Sequence, residues 1–381
     1  AKINLDDYQG AESDCDAAIQ RNPFVVGAYQ IRGLARIRQN KFDEAIEDYK
    51  TAIKYDPENV VLWHNLSLCH IQKEDYEAAK EDLGTLLTIA PKYTRAYLMR
   101  GEVSLKQNDT IQALRDFDKA IEFLREKGLA TAEKKAGRIA AEGLVATTIK
   151  DGDKVAAIVE VNAETDFVAK NEVFQTFVKE VVEQAADTDA ADIDAFKAEK
   201  WALDTSMTVD EKLAAMIAKI GENMNIRRFE KIVSEDGIVV SYIHAAGKIG
   251  VLVEAKTESN DERVKEALKN VAMQVAALNP KYVSTDDVPE EYKEHEKEIL
   301  IAQAKNDPKN ANKPENIIEK MITGRLAKEL KEICLLEQEY VKAENKETVA
   351  KYLEMVSKEV GTPVELKRFV RFETGEGLEK K

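Results

Sequence analysis

The stretch Val26–Asn59, VGAYQIRGLARIRQNKFDEAIEDYKTAIKYDPEN, is followed directly by Val60–Tyr93, VVLWHNLSLCHIQKEDYEAAKEDLGTLLTIAPKY, and the two align without a gap. Pro23, Pro57 and Pro91 stand 34 residues apart. Ala11, Ala45, Ala79 and Ala113 share that spacing, as do Ala18, Ala52, Leu86 and Ala120. Gly33, Ser67 and Gly101 form a column of small residues, and Tyr29, Trp63 and Tyr97 an aromatic one. This period describes a stack of helix pairs. Small residues let the two helices of a unit approach, aromatics fill the space between units, and proline ends the second helix. The period stops near residue 122.

A different pattern follows. Leu144 to Lys150 and Lys154 to Asn162 are rich in Val, Ile and Thr around Asp151-Gly152, which predicts a hairpin. Phe174, Phe177, Val178, Val181, Val182 and Ala185 recur at helical spacing. Ile226 to Val233 and Ile238 to His244 read as strands around Asp236-Gly237, then a strand from Lys248 to Lys256 and a helix from Asp261 to about Leu278. Setting Lys154 against Lys248 matches Ile158 to Leu252, Val159 to Val253, Glu160 to Glu254 and Phe174 to Leu268. Two strand-plus-helix modules are thus offset by 94 residues. Their loops differ: Glu164-Thr165-Asp166-Phe167-Val168-Ala169-Lys170 has an aromatic, and Glu258-Ser259-Asn260-Asp261 has none. An aromatic needed only for the core would be needed in both, so Phe167 is assigned to something outside the fold. Two helical arms between Val288 and Ile333, interrupted from Asn306 to Pro314, predict an antiparallel helical hairpin. A helix from Glu347 to Val360 and a strand from Phe369 to Glu373 end the chain.

With 381 residues, 44% hydrophobic and 33% charged, the chain has room for two or three domains. A net charge of −15 argues against a general nucleic-acid binder. Cys15, Cys69 and Cys334 are isolated thiols, as expected of a reducing compartment, and the sequence has neither a leader nor an apolar run of membrane-spanning length, so the cytoplasm is expected. His64, His70 and His295 lack metal-ligand spacing, and no GxxxxGK[ST] loop occurs. No nucleophile–base pair emerges, so neither an enzyme nor a cofactor is expected. The chain begins at Ala1, partway into a repeat, which reads as a truncation boundary.

The repeat columns resemble the tetratricopeptide family, in units 26–59, 60–93 and 94 to about 122. That resemblance implies a groove for a peptide or protein. Arg32, Arg36, Arg95 and Arg100 can line such a groove, although a solvated face is the plainer reading. Four stretches of the second part stand in order along the chain: Lys134-Lys135-Ala136-Gly137 with Ala141-Glu142-Gly143; Glu160-Val161-Asn162 through Thr165-Asp166-Phe167-Val168-Ala169-Lys170; Ile220-Gly221-Glu222-Asn223 with Asn225-Ile226-Arg227-Arg228; and Arg371-Phe372-Glu373 with Gly375-Glu376-Gly377. On these stretches residues 123–381 resemble bacterial translation elongation factor Ts.

The expected fold is therefore multidomain, an all-α tetratricopeptide solenoid followed by an α+β elongation-factor-Ts-like core with an inserted helical hairpin. Its expected parts are repeats over 1–122, a helical linker over 123–141, core modules over 142–234 and 235–287, the hairpin over 288–333, and a completing helix and strand over 334–381. The resemblance implies a guanine nucleotide exchange factor whose partner is elongation factor Tu, GDP-bound or nucleotide-free. By the same resemblance Thr165, Asp166, Phe167 and Val168 disturb its Mg²⁺ site, and His244 touches it. By residue type alone that stretch is a capping turn with Thr165 or Asp166 as N-cap and Phe167 packed beneath, and His244 an ordinary half-buried histidine. Arg227 and Arg228 can face the partner, but surface ion pairs are the plainer reading. The family's N-terminal three-helix domain is replaced by the repeats, which reads as a fusion within one shared helix around Asp118 to Gly128. The rival reading is a peptide-binding scaffold in which the second part is a passive carrier.

Overall fold

The computed structural model describes residues 2–306, 315–343 and 345–379. The chain divides into two compact units, one ending at Lys127 and one beginning at Gly128.

The first unit contains α1 (Tyr8–Arg21), α2 (Val26–Arg38), α3 (Phe42–Tyr55), α4 (Val60–Gln72), α5 (Tyr76–Ile89), α6 (Thr94–Lys106) and the larger part of α7 (Thr110–Lys135). It is a tetratricopeptide solenoid. Its small-residue column is enforced by a large residue 16 positions on. A Cβ on Gly33 would lie 2.8 Å from Tyr49 Cζ, and one on Gly101 would lie 2.6 Å from Phe117 Cε1. In the middle unit Ser67 and Leu83 are both fully buried. The aromatic column also holds the turns: Trp63 Nε1 donates to the Pro57 carbonyl at 2.7 Å and the Tyr97 hydroxyl to that of Pro91 at 3.1 Å.

Three arginines prove to be internal. Asp48, Asp82 and Asp116 recur with the repeat and are all buried. Arg32 and Arg36 reach Asp48 at 2.5 and 2.8 Å, and Arg100 reaches Asp116 at 2.7 Å. Arg95, by contrast, is exposed. In the middle unit Leu66 stands where the others have arginine, and His70 Nδ1 meets Asp82 at 2.7 Å. A buried carboxylate needs a cationic or donor partner, so these residues tie helix to helix and neither line a groove nor form a solvated face.

The second unit opens with β1 (Glu142–Lys150) and β2 (Val155–Ala163), then α8 (Asp166–Ala169) and α9 (Glu172–Asp187). Next come α10 (Ile193–Ala198), a small ribbon of β3 (Lys200–Trp201) and β4 (Asp204–Thr208), α11 (Val209–Ile220) and β5 (Met224–Val233). Residues 193–220 escaped the sequence reading, although Thr208 and Glu211 form a capping box legible as Thr-x-x-Glu. The chain continues through β6 (Gly237–His244), β7 (Ile249–Lys256), α12 (Glu262–Leu278), α13 (Glu290–Asn306), α14 (Glu315–Ile333), α15 (Val349–Val360) and β8 (Glu365–Glu373). The arms α13 and α14 pack through Leu300, Ala304 and Ile322. Of the interruption read between Asn306 and Pro314, residues 307–314 lie outside the described residues.

Two antiparallel sheets form, β1-β2-β5 and β6-β7-β8. The strands flanking Asp236-Gly237 do not pair with each other. β5 pairs with β2, β6 pairs with β7, and the chain crosses from one sheet to the other between them. Alternate residues of β2 face opposite ways. Val159 and Val161 join Phe174, Phe177 and Val181 of α9 in one core, while Ile158 meets Leu252 and Phe372 between the sheets. Val251 and Val253 join Leu268 and Val271 of α12 on the far side. The layers run α9, first sheet, second sheet, α12.

The 94-residue offset extends to buried charge. Glu160 on β2 and Glu254 on β7 both adjoin a register shift, and each is almost wholly buried. Arg228 Nε meets Glu160 at 2.6 Å and Arg368 Nε meets Glu254 at 2.7 Å. Glu160 also pairs with Arg227 at 3.1 Å and accepts the Gly375 N–H at 2.8 Å. Arg227 and Arg228 are thus engaged inward. Gly375 has φ +72°, and a Cβ there would lie 2.1 Å from the Ala141 carbonyl oxygen, which restricts the position to glycine. Burial raises the Glu160 pKa, but the Gly375 N–H, Asn162 and Arg228 together hold it below its usual 4.5. Its stabilising contribution is therefore present above pH 4.5 and is lost as pH falls through the lowered value. Denaturant melts from about pH 6 to about pH 3 are expected to show the second unit weakening on the acid side. Glu160→Gln should reduce that slope and cost about 3 kcal/mol at neutral pH.

Candidate partner-binding site

Thr165 caps α8 with extended backbone, φ −130° and ψ 156°, and its Oγ1 accepts the Val168 N–H. The backbone N–H and hydroxyl of Thr165 both donate to the Glu222 carboxylate, at 3.1 and 2.8 Å. The neighbouring Asn223 donates its N–H to Glu164 and its side-chain amide to the Arg138 carbonyl at 2.7 Å. At the other end Asn171 caps α9 and Gln175 Nε2 donates to the Ala169 carbonyl at 3.2 Å. The turn is held on both sides.

On this held turn Val168 and Ala169 point into the body and are buried. Phe167 is 79% exposed. The capping-turn expectation is met at Thr165, while Phe167 is not packed beneath the turn. Burying its ring against another surface would be worth about 2 kcal/mol. Asp166 is paired with Lys170 at 2.8 Å, and Lys170, with help from Lys248, lowers its pKa, so it is a carboxylate at neutral pH.

His244 ends β6 and is exposed, where residue type suggested a half-buried side chain. Its Nδ1 lies 3.0 Å from the Tyr242 hydroxyl. The turn beyond it uses left-handed backbone at Ala245, Ala246 and Gly247, and a Cβ on Gly247 would lie 2.7 Å from Leu144 Cδ2. Lys248 pairs with Glu142 at the start of β1 and accepts the Thr374 N–H on its carbonyl at 2.9 Å. Glu142 is opposite Ala163, the last residue of β2, so the Thr165 and His244 turns leave the same end of the stacked sheets. The arrangement is a projection, not a cleft, suited to a protein surface. Among the described residues no cluster of His, Cys, Asp and Glu could hold a metal ion, and no helix is long and apolar enough to cross a membrane.

Sequence reasoning missed Glu222, which lies 57 residues from Thr165. Its one local signal was the stretch Ile220-Gly221-Glu222-Asn223, where Gly221 ends α11 in left-handed backbone.

The family model of elongation factor TS matches residues 164–376. The chain belongs to the elongation factor Ts family. Elongation factor Ts of Clostridium novyi (strain NT) is 51% identical over 266 residues, covering 70% of this chain and 85% of that protein. The one from Clostridioides difficile (strain 630) is 52% identical over 266 residues, with 70% and 85% covered. Two tetratricopeptide repeat models match residues 36–103 and 1–60. A solved tetratricopeptide repeat protein from Parabacteroides merdae is similar over 35% of this chain and 56% of its own, at 23% identity and a TM-score of 0.31. The chain thus joins an elongation factor Ts body to a tetratricopeptide module, and the turn from Glu164 to Ala169 falls within the family match.

Glu222→Ala is expected to free the Thr165 amide while leaving the fold intact. Amide hydrogen exchange should then quicken at Thr165 by roughly tenfold or more, with Glu160-linked amides unchanged.

Proposed function

We propose that the second unit is a guanine nucleotide exchange factor for elongation factor Tu, acting through Asp166, Phe167 and the turn that carries them. The observation that supports this most is a large aromatic left in water on a backbone fixed at both ends. A GTPase holds GDP through Mg²⁺ and oriented backbone donors. A partner speeds release by binding the nucleotide-free conformation more tightly than the GDP conformation. Phe167 enters between side chains near the Mg²⁺ site, and the Asp166 carboxylate competes for the groups that hold that site together. Thr165 and Val168 fix the turn, and His244 is a second contact from the same end of the sheets. No covalent step is involved. The compartment proposed is the cytoplasm, and the solenoid adds a protein-binding module whose groove takes a peptide or protein.

Phe167→Ala tests this reading through release of a fluorescent GDP analogue from elongation factor Tu. Release should slow by about 30-fold, the scale of a central interface aromatic, with the melting curve unchanged. Asp166→Asn should slow it less. Equal release with Phe167→Ala would overturn the role given to that ring, and no acceleration by the unsubstituted chain would favour the rival reading, a scaffold whose second unit is a passive carrier.

A further inference from the structure

His244 is the last residue of β6, and the chain leaves it through a strained turn. Ala245, Ala246 and Gly247 follow one another in left-handed backbone, at φ 49°, 52° and 93°. Glycine adopts that conformation freely. For two alanines in succession it is costly, and it persists only where surrounding contacts hold it. Those contacts are present. The Lys248 N–H closes the turn onto the Ala245 carbonyl at 3.3 Å, and the Thr374 hydroxyl donates to the Gly247 carbonyl at 3.3 Å. The backbone beside His244 is therefore fixed, which leaves rotation of its side chain.

Tyr242 removes that freedom. Residues two apart on a strand share a face, and the rings of Tyr242 and His244 have centroids 5.9 Å apart. Tyr242 stands opposite Val251 and is half-buried at the margin of the core that joins β6 and β7 to α12. From that anchored ring the hydroxyl lies 3.0 Å from His244 Nδ1, its one hydrogen-bond partner among the described residues. A phenol is the stronger donor of the two and an imidazole nitrogen the stronger acceptor, so the hydroxyl donates and Nδ1 accepts. A neutral imidazole carries a single N–H, and with Nδ1 accepting, that hydrogen sits on Nε2.

We propose that Tyr242 is a positioning residue for partner binding. It fixes the ring and the tautomer of His244, so that the Nε2–H is presented to a carbonyl or carboxylate oxygen on the partner's surface. The proposal rests on the exchange function proposed for this unit, in which His244 is the second contact, and gives that contact its atom and its polarity.

The test removes the hydroxyl alone, because Tyr242→Phe keeps the packing of the ring. In release of a fluorescent GDP analogue from elongation factor Tu, it should raise the concentration of chain needed for half-maximal acceleration about fivefold, the scale of one hydrogen bond. The maximal rate should stay within about twofold. In a His244→Ala background the same substitution should change nothing further, since no ring is left to position. His244→Gln, which places an N–H donor near the position of Nε2, should recover part of what His244→Ala loses. Nitrogen-15 NMR of the full chain without partner gives a readout independent of exchange. The neutral His244 ring should be mainly in its Nε2–H form, and Tyr242→Phe should bring in the Nδ1–H form, the signals being assigned by their loss in His244→Gln. Equal losses from Tyr242→Phe with and without His244, or a predominant Nδ1–H form in the unsubstituted chain, would overturn the role of Tyr242 and leave the exchange function standing. No acceleration by the unsubstituted chain would overturn the exchange function and this proposal with it, whatever tautomer the NMR shows.

Discussion

A carboxylate sealed between two sheets organises the second unit. Glu160 is fully buried, and a buried charge is tolerated only where its oxygens are met by charge and donors. Its partners come from distant parts of the chain: Arg227 and Arg228 from β5, Asn162 from its own strand, and the Gly375 N–H from beyond β8. Satisfying one side chain therefore fixes the last segment of the chain against the first sheet. The Arg228 guanidinium extends the tie by donating to the Glu373 carbonyl at 3.2 Å and lying 4.2 Å from the centre of the Phe372 ring. The same end of the sheets carries the Thr165 turn, five residues after Glu160, so the candidate site inherits its position from a charge that is not part of it.

The two modules show how one scaffold yields one projecting loop and one plain cap. With the 94-residue offset, Phe174 and Leu268 are both fully buried, so the helices share a register. Yet α12 starts at Glu262 and runs unbroken, whereas the corresponding stretch of the first module is divided into α8 and α9. Asn171 accepts the Val173 N–H at 2.8 Å and begins a new helix, which releases the preceding turn from the helix axis. Phe167 lies on that released turn. In the second module Asp261 caps α12 directly, and no side chain is carried outward in the same way.

What the sequence disclosed follows the range of the contacts involved. The repeats were legible because each period is sustained by pairs 16 residues apart, such as Gly33 with Tyr49, and these leave columns. The β1–β2 hairpin was legible because Asp151 and Gly152 adopt left-handed backbone, which their residue types favour. Strands β5 and β6 were legible as strands around Asp236-Gly237, but their partners were not, because only long-range pairing sends them to different sheets. The arginines misled for a similar reason. Residue type says that Arg32 seeks an anion, not that Asp48 waits buried on the next helix. At the site, comparing the two modules drew attention to Phe167 and the family resemblance gave it a role, while Glu222 became visible only when the fold brought it to Thr165.

Exposure of an aromatic ring gains meaning from the stiffness beneath it. A phenylalanine on a mobile loop would lose its conformational freedom on meeting a partner, at about 0.5–1.5 kcal/mol for each ordered side chain, with more for the backbone. Here the backbone is already fixed, by two donors from Thr165 to one carboxylate and by the Asn171 cap beyond. The ring's apolar surface is then available almost undiminished to favour whichever conformation of a partner can enclose it. A partner that encloses the ring only after its own nucleotide site has opened is driven toward the open state by that difference, and by no more than that difference. Pinning and exposure therefore have to occur together. A buried Phe167 would have nothing to offer, and an unpinned one would dissipate in ordering its own loop what it gains in contact.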